Sequence, residues 1–253
     1  MAASQSGRLA HVSVHGDHAI RYSEGGAFDA VAIGERSTPV EFNSVVLVPN
    51  LLTADECAAL VADVERAWSE SNSQDTADSG HQRFELRALA AESQLLFEKI
   101  LRDRLLPFVA TELPEVEEMV WARSQLAPTG AALRDCALKY SAQEPAINRY
   151  AAGGHFEPHR DTLALTLNVL LSTGFEGGGT EFWSEDAGED DDPSCCCLHP
   201  VAGTGVVFNG NVKHAGRAVT EGLRHVLVAS FSVVKSSQGL SGWIGGDRAA
   251  AVG

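Results

Sequence analysis

From about residue 134 onward the chain is written as short β-branched and aromatic runs closed by glycine turns. This texture restricts the fold more than any other feature of the sequence. The runs cover residues 147–150, 163–171, 180–184, 205–208 and 223–234. Many short strands at this spacing predict a mainly β domain, an antiparallel sandwich or jelly roll. Upstream the pattern changes. Val45–Val48 reads as a strand, and Thr53 with Glu56 makes a capping-box signature at a helix start. Cys57, Leu60, Val61, Val64 and Trp68 then recur at helical spacing, as one buried stripe. A second helix is expected over 92–109, with Phe97, Ile100, Leu101, Leu105, Phe108 and Val109 facing inward and Pro107 and Pro114 bending or ending it. Residues 71–83 are almost wholly polar and read as a loop. The expected organisation is an arm over 1–44 and a single domain over 45–253. Within that domain, 45–133 form helical support packed outside one sheet, 134–235 the β core and 236–253 a tail.

The densest chemistry lies in residues 148–161, NRYAAGGHFEPHRD. Side chains two apart on a strand share a face, so His159 and Asp161 can grip one ion. His214 follows in the glycine-rich FNGNVKHAG segment. Two histidines and one carboxylate are the ligand set of non-haem Fe(II) oxygenases, which leaves coordination positions open for a co-substrate and dioxygen. An H-x-D triplet alone occurs on many exposed strands, and a lone histidine is more often a satisfied core or surface residue. The third element is Arg224, ten residues after His214, at the head of the most apolar run, LRHVLVASFSV. A guanidinium buried there needs an anionic partner, because leaving it unpaired costs several kcal/mol. A dicarboxylate co-substrate supplies one. A helical zinc pair of His155 and His159 is rejected, since Gly153, Gly154 and Pro158 disfavour a helix.

These residues carry a family resemblance. NRYAAGGHFEPHRD, FEGGGTEFW and GTGVVFNGNVKHAGRAVTEGLRHVLVASF, in that order, resemble the catalytic core of the 2-oxoglutarate- and Fe(II)-dependent dioxygenases, and within them the prolyl 4-hydroxylase and lysyl hydroxylase group. The earlier LLTADECAALV resembles the opening helix of prolyl hydroxylases. The resemblance implies a double-stranded β-helix (a cupin-like jelly roll) with Fe(II) on His159, Asp161 and His214. It implies that Arg224 meets the distal carboxylate of 2-oxoglutarate and that Tyr150 and Thr180 hydrogen-bond this co-substrate. It further implies O2 as a co-substrate, ascorbate as reductant, and hydroxylation of an unactivated C–H bond with release of succinate and CO2. A prolyl- or lysyl-type side chain or a free amino acid is the expected target. No catalytic residue is expected beyond the metal ligands, and neither His225 nor Glu157 is cast as a general base. Val226 stands where many plant small-molecule oxygenases carry the serine of an R-x-S pair. Asp161 is present where halogenating relatives have a small residue. Three alternatives stay open: a tailoring oxygenase of a small metabolite, a non-catalytic metal-binding jelly roll, and an Fe(II) cupin dioxygenase that works without 2-oxoglutarate.

The net charge of −15 argues against nucleic acid or an anionic membrane as partner, leaving a small-molecule or peptide substrate. Six acids are concentrated in residues 185–192, EDAGEDDD, a run that is solvated in most proteins and can favour a cationic substrate. No run is long and apolar enough to span a membrane, and the first residues lack the pattern of a secretory signal. Five cysteines, three of them consecutive (Cys195, Cys196, Cys197), form neither a disulfide framework nor a paired zinc spacing. A reducing, cytoplasmic location is the expectation. Substrate contacts are looked for in 71–83, 121–125 and the loop after Trp183.

Overall fold

The computed structural model describes residues 10–12, 45–71, 80–126, 130–183 and 196–235. In chain order the first elements are β1 (Ala10–Val12), β2 (Val45–Val48), α1 (Ala54–Glu70) and β3 (His81–Glu85). Three helices follow, α2 (Ala91–Lys99), α3 (Leu106–Glu112) and α4 (Pro114–Arg123). The strands then run β4 (Ala137–Tyr140), β5 (Ala146–Tyr150), β6 (Phe156–His159), β7 (Leu165–Leu170), β8 (Glu176–Gly177), β9 (Thr180–Phe182) and β10 (Cys196–Leu198). The last are β11 (Gly205–Asn209), β12 (His214–Gly216), β13 (Val219–Glu221) and β14 (Arg224–Val234). Among the described residues the main sheet runs β1-β2-β11-β7-β14-β5-β3, with β4 also paired to β14, and a second sheet runs β10-β9-β12-β6. All the pairings are antiparallel. This is the mainly β jelly roll that the strand texture predicts.

Strand alternation divides the main sheet into two faces. Leu165, Leu167 and Val169 of β7, Ile147 of β5 and Leu227, Ala229 and Phe231 of β14 point to the helices and belong to one apolar core. Thr166, Asn168, Asn148, Tyr150, Arg224, Val226 and Val228, the intervening residues, line a pocket on the opposite face. The helices close the core. Cys57, Leu60 and Val64 of α1 join Phe97 of α2, Val109 of α3 and Val120 and Trp121 of α4 in it. The capping box of α1 is formed: the Glu56 amide donates to Thr53 Oγ1 and the Thr53 amide to Glu56 Oε2.

The supporting segment departs from its expected form in three ways. The helix expected over 92–109 is α2 and α3 joined through a π-helical stretch, Ile100–Leu105. Pro107 lies just beyond that stretch, which accommodates its missing N–H and its ring where a regular helix would break. Pro114 follows the end of α3, with Leu113 before it out of helical geometry, and it also opens α4, in the first turn where no N–H is needed. The polar run 71–83 is not all loop, for residues 81–83 begin β3, which pairs with β5 from His81↔Tyr150 to Glu85↔Ala146. Residues 45–133 therefore supply strands as well as helices. Residues 72–79, most of the arm, the acidic run 185–192, Cys195, the Cys196 side chain and the tail 236–253 lie outside the described residues.

Candidate active site

His159 and His214 are antiparallel partners in the second sheet, and their rings stack obliquely at 4.3 Å. β6 ends at His159, so Asp161 lies just past the strand rather than within it, which corrects the shared-strand expectation. Its carboxylate nevertheless turns between the two imidazoles. His159 Nε2 is 3.6 Å from Asp161 Oδ1, and His214 Nε2 is 3.7 Å from Oδ2. Ligand atoms of the three residues all lie within 4.8 Å of one another. Two contacts hold Asp161 in place. Thr166 Oγ1 donates to its Oδ2 at 2.5 Å, and the chain passes so close to Gly210 that a Cβ there would sit 2.2 Å from the Leu163 carbonyl oxygen.

The tautomers suit a metal. Nδ1 of His159 lies 2.8 Å from the Glu157 carbonyl oxygen and Nδ1 of His214 3.0 Å from that of Val212. A carbonyl only accepts, so each Nδ1 carries a proton, and Nε2 is the ring nitrogen turned toward Asp161 and left to ligate. Burial pushes the His214 imidazole down to about 4 against the pull of Asp161, keeping it neutral and free to ligate. The Nε2–carboxylate separations are too long for hydrogen bonds and near the spacing of about 3 Å that ligands roughly 2.1 Å from one ion adopt on an octahedral face. The donor set fits a divalent cation.

Arg224, at the head of β14, is 4% exposed. Its Nη2 donates to Thr180 Oγ1 at 3.3 Å, and its Cζ lies 5.3 Å from the centroid of the Tyr150 ring. No carboxylate among the described residues pairs with it. Gly178, with φ of +67°, lets the backbone pass beside this side chain, since a Cβ would stand 2.9 Å from Arg224 Cδ. Burial pushes the Tyr150 phenol up and the Arg224 guanidinium down, and each opposes the other's shift. A buried cation without an anion, beside a hydroxyl and a phenol, is a fitting seat for a carboxylate.

All six residues singled out from the sequence, His159, Asp161, His214, Arg224, Tyr150 and Thr180, line one pocket that opens to solvent. Sequence reasoning missed other polar walls, Thr166 and Asn168 of β7, Asn148 of β5 and Glu144, whereas Arg83, the ion-pair partner of Glu144, ends the 71–83 segment in which substrate contacts were expected. The alternation of β7 and β5 was the signal for the first three. His81, in the same 71–83 segment, stacks on Tyr150 at 4.6 Å with 11° between ring planes.

His225 faces away from the pocket, its Nε2 2.6 Å from Glu65 Oε1 on α1, and Glu157 is exposed beside His155. Neither is placed as a general base in the pocket. Trp121 is buried in the helical core and offers no substrate contact, which corrects that part of the 121–125 expectation. Arg123, from the same segment, instead donates to the Leu163 carbonyl and to Asn211 Oδ1 beside the loop carrying Asp161. The loop after Trp183 lies outside the described residues.

A family model described as the 2OG-Fe(II) oxygenase superfamily matches residues 145–232, the segment that carries all six residues. Among solved structures, HygX from Streptomyces hygroscopicus, with nickel and 2-oxoglutarate bound, is similar at TM-score 0.50 and 13% identity, over 76% of this chain and 83% of that one. A prolyl-4-hydroxylase from Pseudomonas putida is similar at TM-score 0.46 and 18% identity, over 75% of this chain and 92% of that one. An oxidoreductase of the 2OG-Fe(II) oxygenase family from Burkholderia pseudomallei aligns at 22% identity and TM-score 0.32, over 37% of this chain and 43% of its own length. No curated protein sequence matches the chain significantly.

Proposed function

We propose that this chain, whose residues 145–232 match the 2OG-Fe(II) oxygenase superfamily, is a dioxygenase that hydroxylates an unactivated C–H bond of a prolyl- or lysyl-type side chain or a free amino acid. One observation carries the reading: a pocket joins three ligand atoms within 4.8 Å to a buried guanidinium that no described carboxylate neutralises. His159, Asp161 and His214 would hold Fe(II). Arg224 and Thr180 would take the distal carboxylate of 2-oxoglutarate, with a hydrogen bond from the Tyr150 hydroxyl. When bound, iron and the oxo acid would activate O2, one of its oxygen atoms entering succinate as 2-oxoglutarate loses CO2 and the other entering the C–H bond.

The chain's own part is binding, orientation and exclusion of water. Thr166 fixes the carboxylate of Asp161, and the Glu157 and Val212 carbonyls fix the two imidazoles. Val226, Val228 and Phe156 furnish apolar wall. The reaction asks for no acid–base dyad. Arg224 also favours this reading over an iron cupin that works without an oxo acid, because such an enzyme has no use for a buried cation. Ascorbate as reductant, a cytoplasmic location and a small molecule or peptide as the only partner class belong to the same proposal. The free thiols of Cys57, Cys136 and Cys197 and the acidic composition support it. No helix among the described residues is long and apolar enough to cross a membrane.

The test is spectroscopic and chemical. Anaerobic Fe(II) protein should develop a visible charge-transfer band on addition of 2-oxoglutarate, and in air it should release succinate. His159→Ala and Asp161→Ala should lose both signals. Succinate release surviving in either variant contradicts the assigned ligand set, and a wild-type protein that never binds 2-oxoglutarate contradicts the reaction.

A further inference from the structure

One pair of charges in the pocket has no part in holding metal or co-substrate. Arg83 projects from β3, and Glu144 stands just before β5. The Arg83 Nη2 to Glu144 Oε1 distance is 2.6 Å. Both line the pocket that holds His159, Asp161 and Arg224, and their side chains are 20% and 11% exposed. The register places the pair at the metal end rather than the Arg224 end. Glu144 accepts the backbone N–H of Ser230, Ser230 is the cross-strand partner of Thr166, and Thr166 holds Asp161. Arg224 lies at the opposite end of β14, opposite Tyr150.

Neither side chain is saturated. A guanidinium has five N–H donors, and Arg83 directs one to Glu144, one to Asn148 Oδ1 at 3.4 Å and one to the Gln143 carbonyl at 3.4 Å. Two donors remain, one on each terminal nitrogen. A carboxylate offers about four acceptor positions, and Glu144 uses two, for Arg83 and for the Ser230 amide. Beside the metal ligands the pocket therefore presents two unused donors on a cation next to two unused acceptor positions on an anion, flanked by Asn148 and Asn168. A peptide-borne prolyl or lysyl residue brings neither an α-carboxylate nor an α-ammonium to such a wall.

We propose that Arg83 and Glu144 determine substrate specificity by binding a free amino acid as its zwitterion, the α-carboxylate on Arg83 and the α-ammonium on Glu144. The inference rests on the dioxygenase reading and narrows its substrate class from prolyl- or lysyl-type side chains and free amino acids to free α-amino acids alone. The pair stays bonded to itself when empty, so the site carries no unpaired charge while it waits for substrate.

The test compares free amino acids with their N-acetyl, C-amide derivatives on the wild-type holoenzyme, and needs no variant. At least one free amino acid should raise succinate release above the substrate-free rate and gain one oxygen atom, while its blocked form does neither. Arg83→Met and Glu144→Gln should each raise KM for that amino acid roughly tenfold or more, the loss of a charged hydrogen bond. KM for 2-oxoglutarate and the substrate-free rate should stay within about twofold, and Arg83→Lys should recover part of the affinity. Blocked and free forms acting equally, no free amino acid either binding or raising succinate release, or variants losing substrate-free turnover in parallel would each overturn the proposal. Calorimetric binding of amino acids to the metal-loaded protein keeps the two readings separable. Binding that needs Arg83 and Glu144 without any succinate production would uphold this site and sink the dioxygenase reading instead.

Discussion

At the scale of single residues, Asp161 shows how a ligand outside regular structure is still held firmly. Its carboxylate is not positioned by strand geometry, since β6 stops at His159, but by the Thr166 hydroxyl from the neighbouring sheet. Thr166→Val keeps the shape and removes that hydrogen bond, so metal affinity should drop about 10–100-fold, as measured by titration with Fe(II) under anaerobic conditions. An unchanged affinity would show that the backbone turn alone aims the carboxylate. Arg224 was legible because a charge at the head of an apolar run is a conspicuous violation of patterning. Glu144 was not, and Arg83 entered only as the end of the 71–83 segment. Each belongs to a polar stretch where charge is unremarkable, and only the pairing of β3 with β5 turns them inward.

Among the elements, α1 was read closely because its information is local. The capping residues sit three apart and the apolar stripe repeats at helical spacing, so no distant contact is needed to see them. What remained hidden is the bridge from Glu56 to Arg104 in the π segment, with Arg104 Nη2 2.6 Å from Glu56 Oε1. The hydrogen bond from Arg104 holds the Glu56 carboxyl at about 2, well below its ordinary 4.5. A carboxyl depressed in the folded state contributes stability fully present above its ordinary value and lost as pH falls from about 4.5 toward about 2. Glu56→Gln should therefore lower the unfolding free energy at pH 6, and the gap to wild type should narrow as pH is brought toward 2. Denaturant unfolding at the two pH values checks this, and a gap of constant size would assign the effect to the cap alone. The misread of residues 81–83 has a simple cause. β3 turns Arg83 into a polar pocket and His81 onto the Tyr150 ring, so it lacks the apolar alternation by which strands are recognised.

For the molecule as a whole, the site joins two sheets. The second sheet brings His159, His214 and Thr180, and the main sheet Arg224, Tyr150 and Thr166, so a ligand that touches both should stabilise the jelly roll globally. Mn(II) and 2-oxoglutarate together should raise Tm more than either alone, and at 100 times Kd a ligand adds about 2.7 kcal/mol. Arg224→Gln should abolish the 2-oxoglutarate increment and leave the metal increment in place, as followed by thermal denaturation. The class of the fold, the cluster of His159, Asp161 and His214 and the buried arginine were all readable from sequence. They depend on residue type, strand period and spacing within a segment that runs in order along the chain. Which other side chains share the pocket was decided only by tertiary structure. Strand pairing carries Arg83 to Asn148 and Glu144 to Ser230 across separations of 65 and 86 residues, and no local pattern encodes a contact over such a distance.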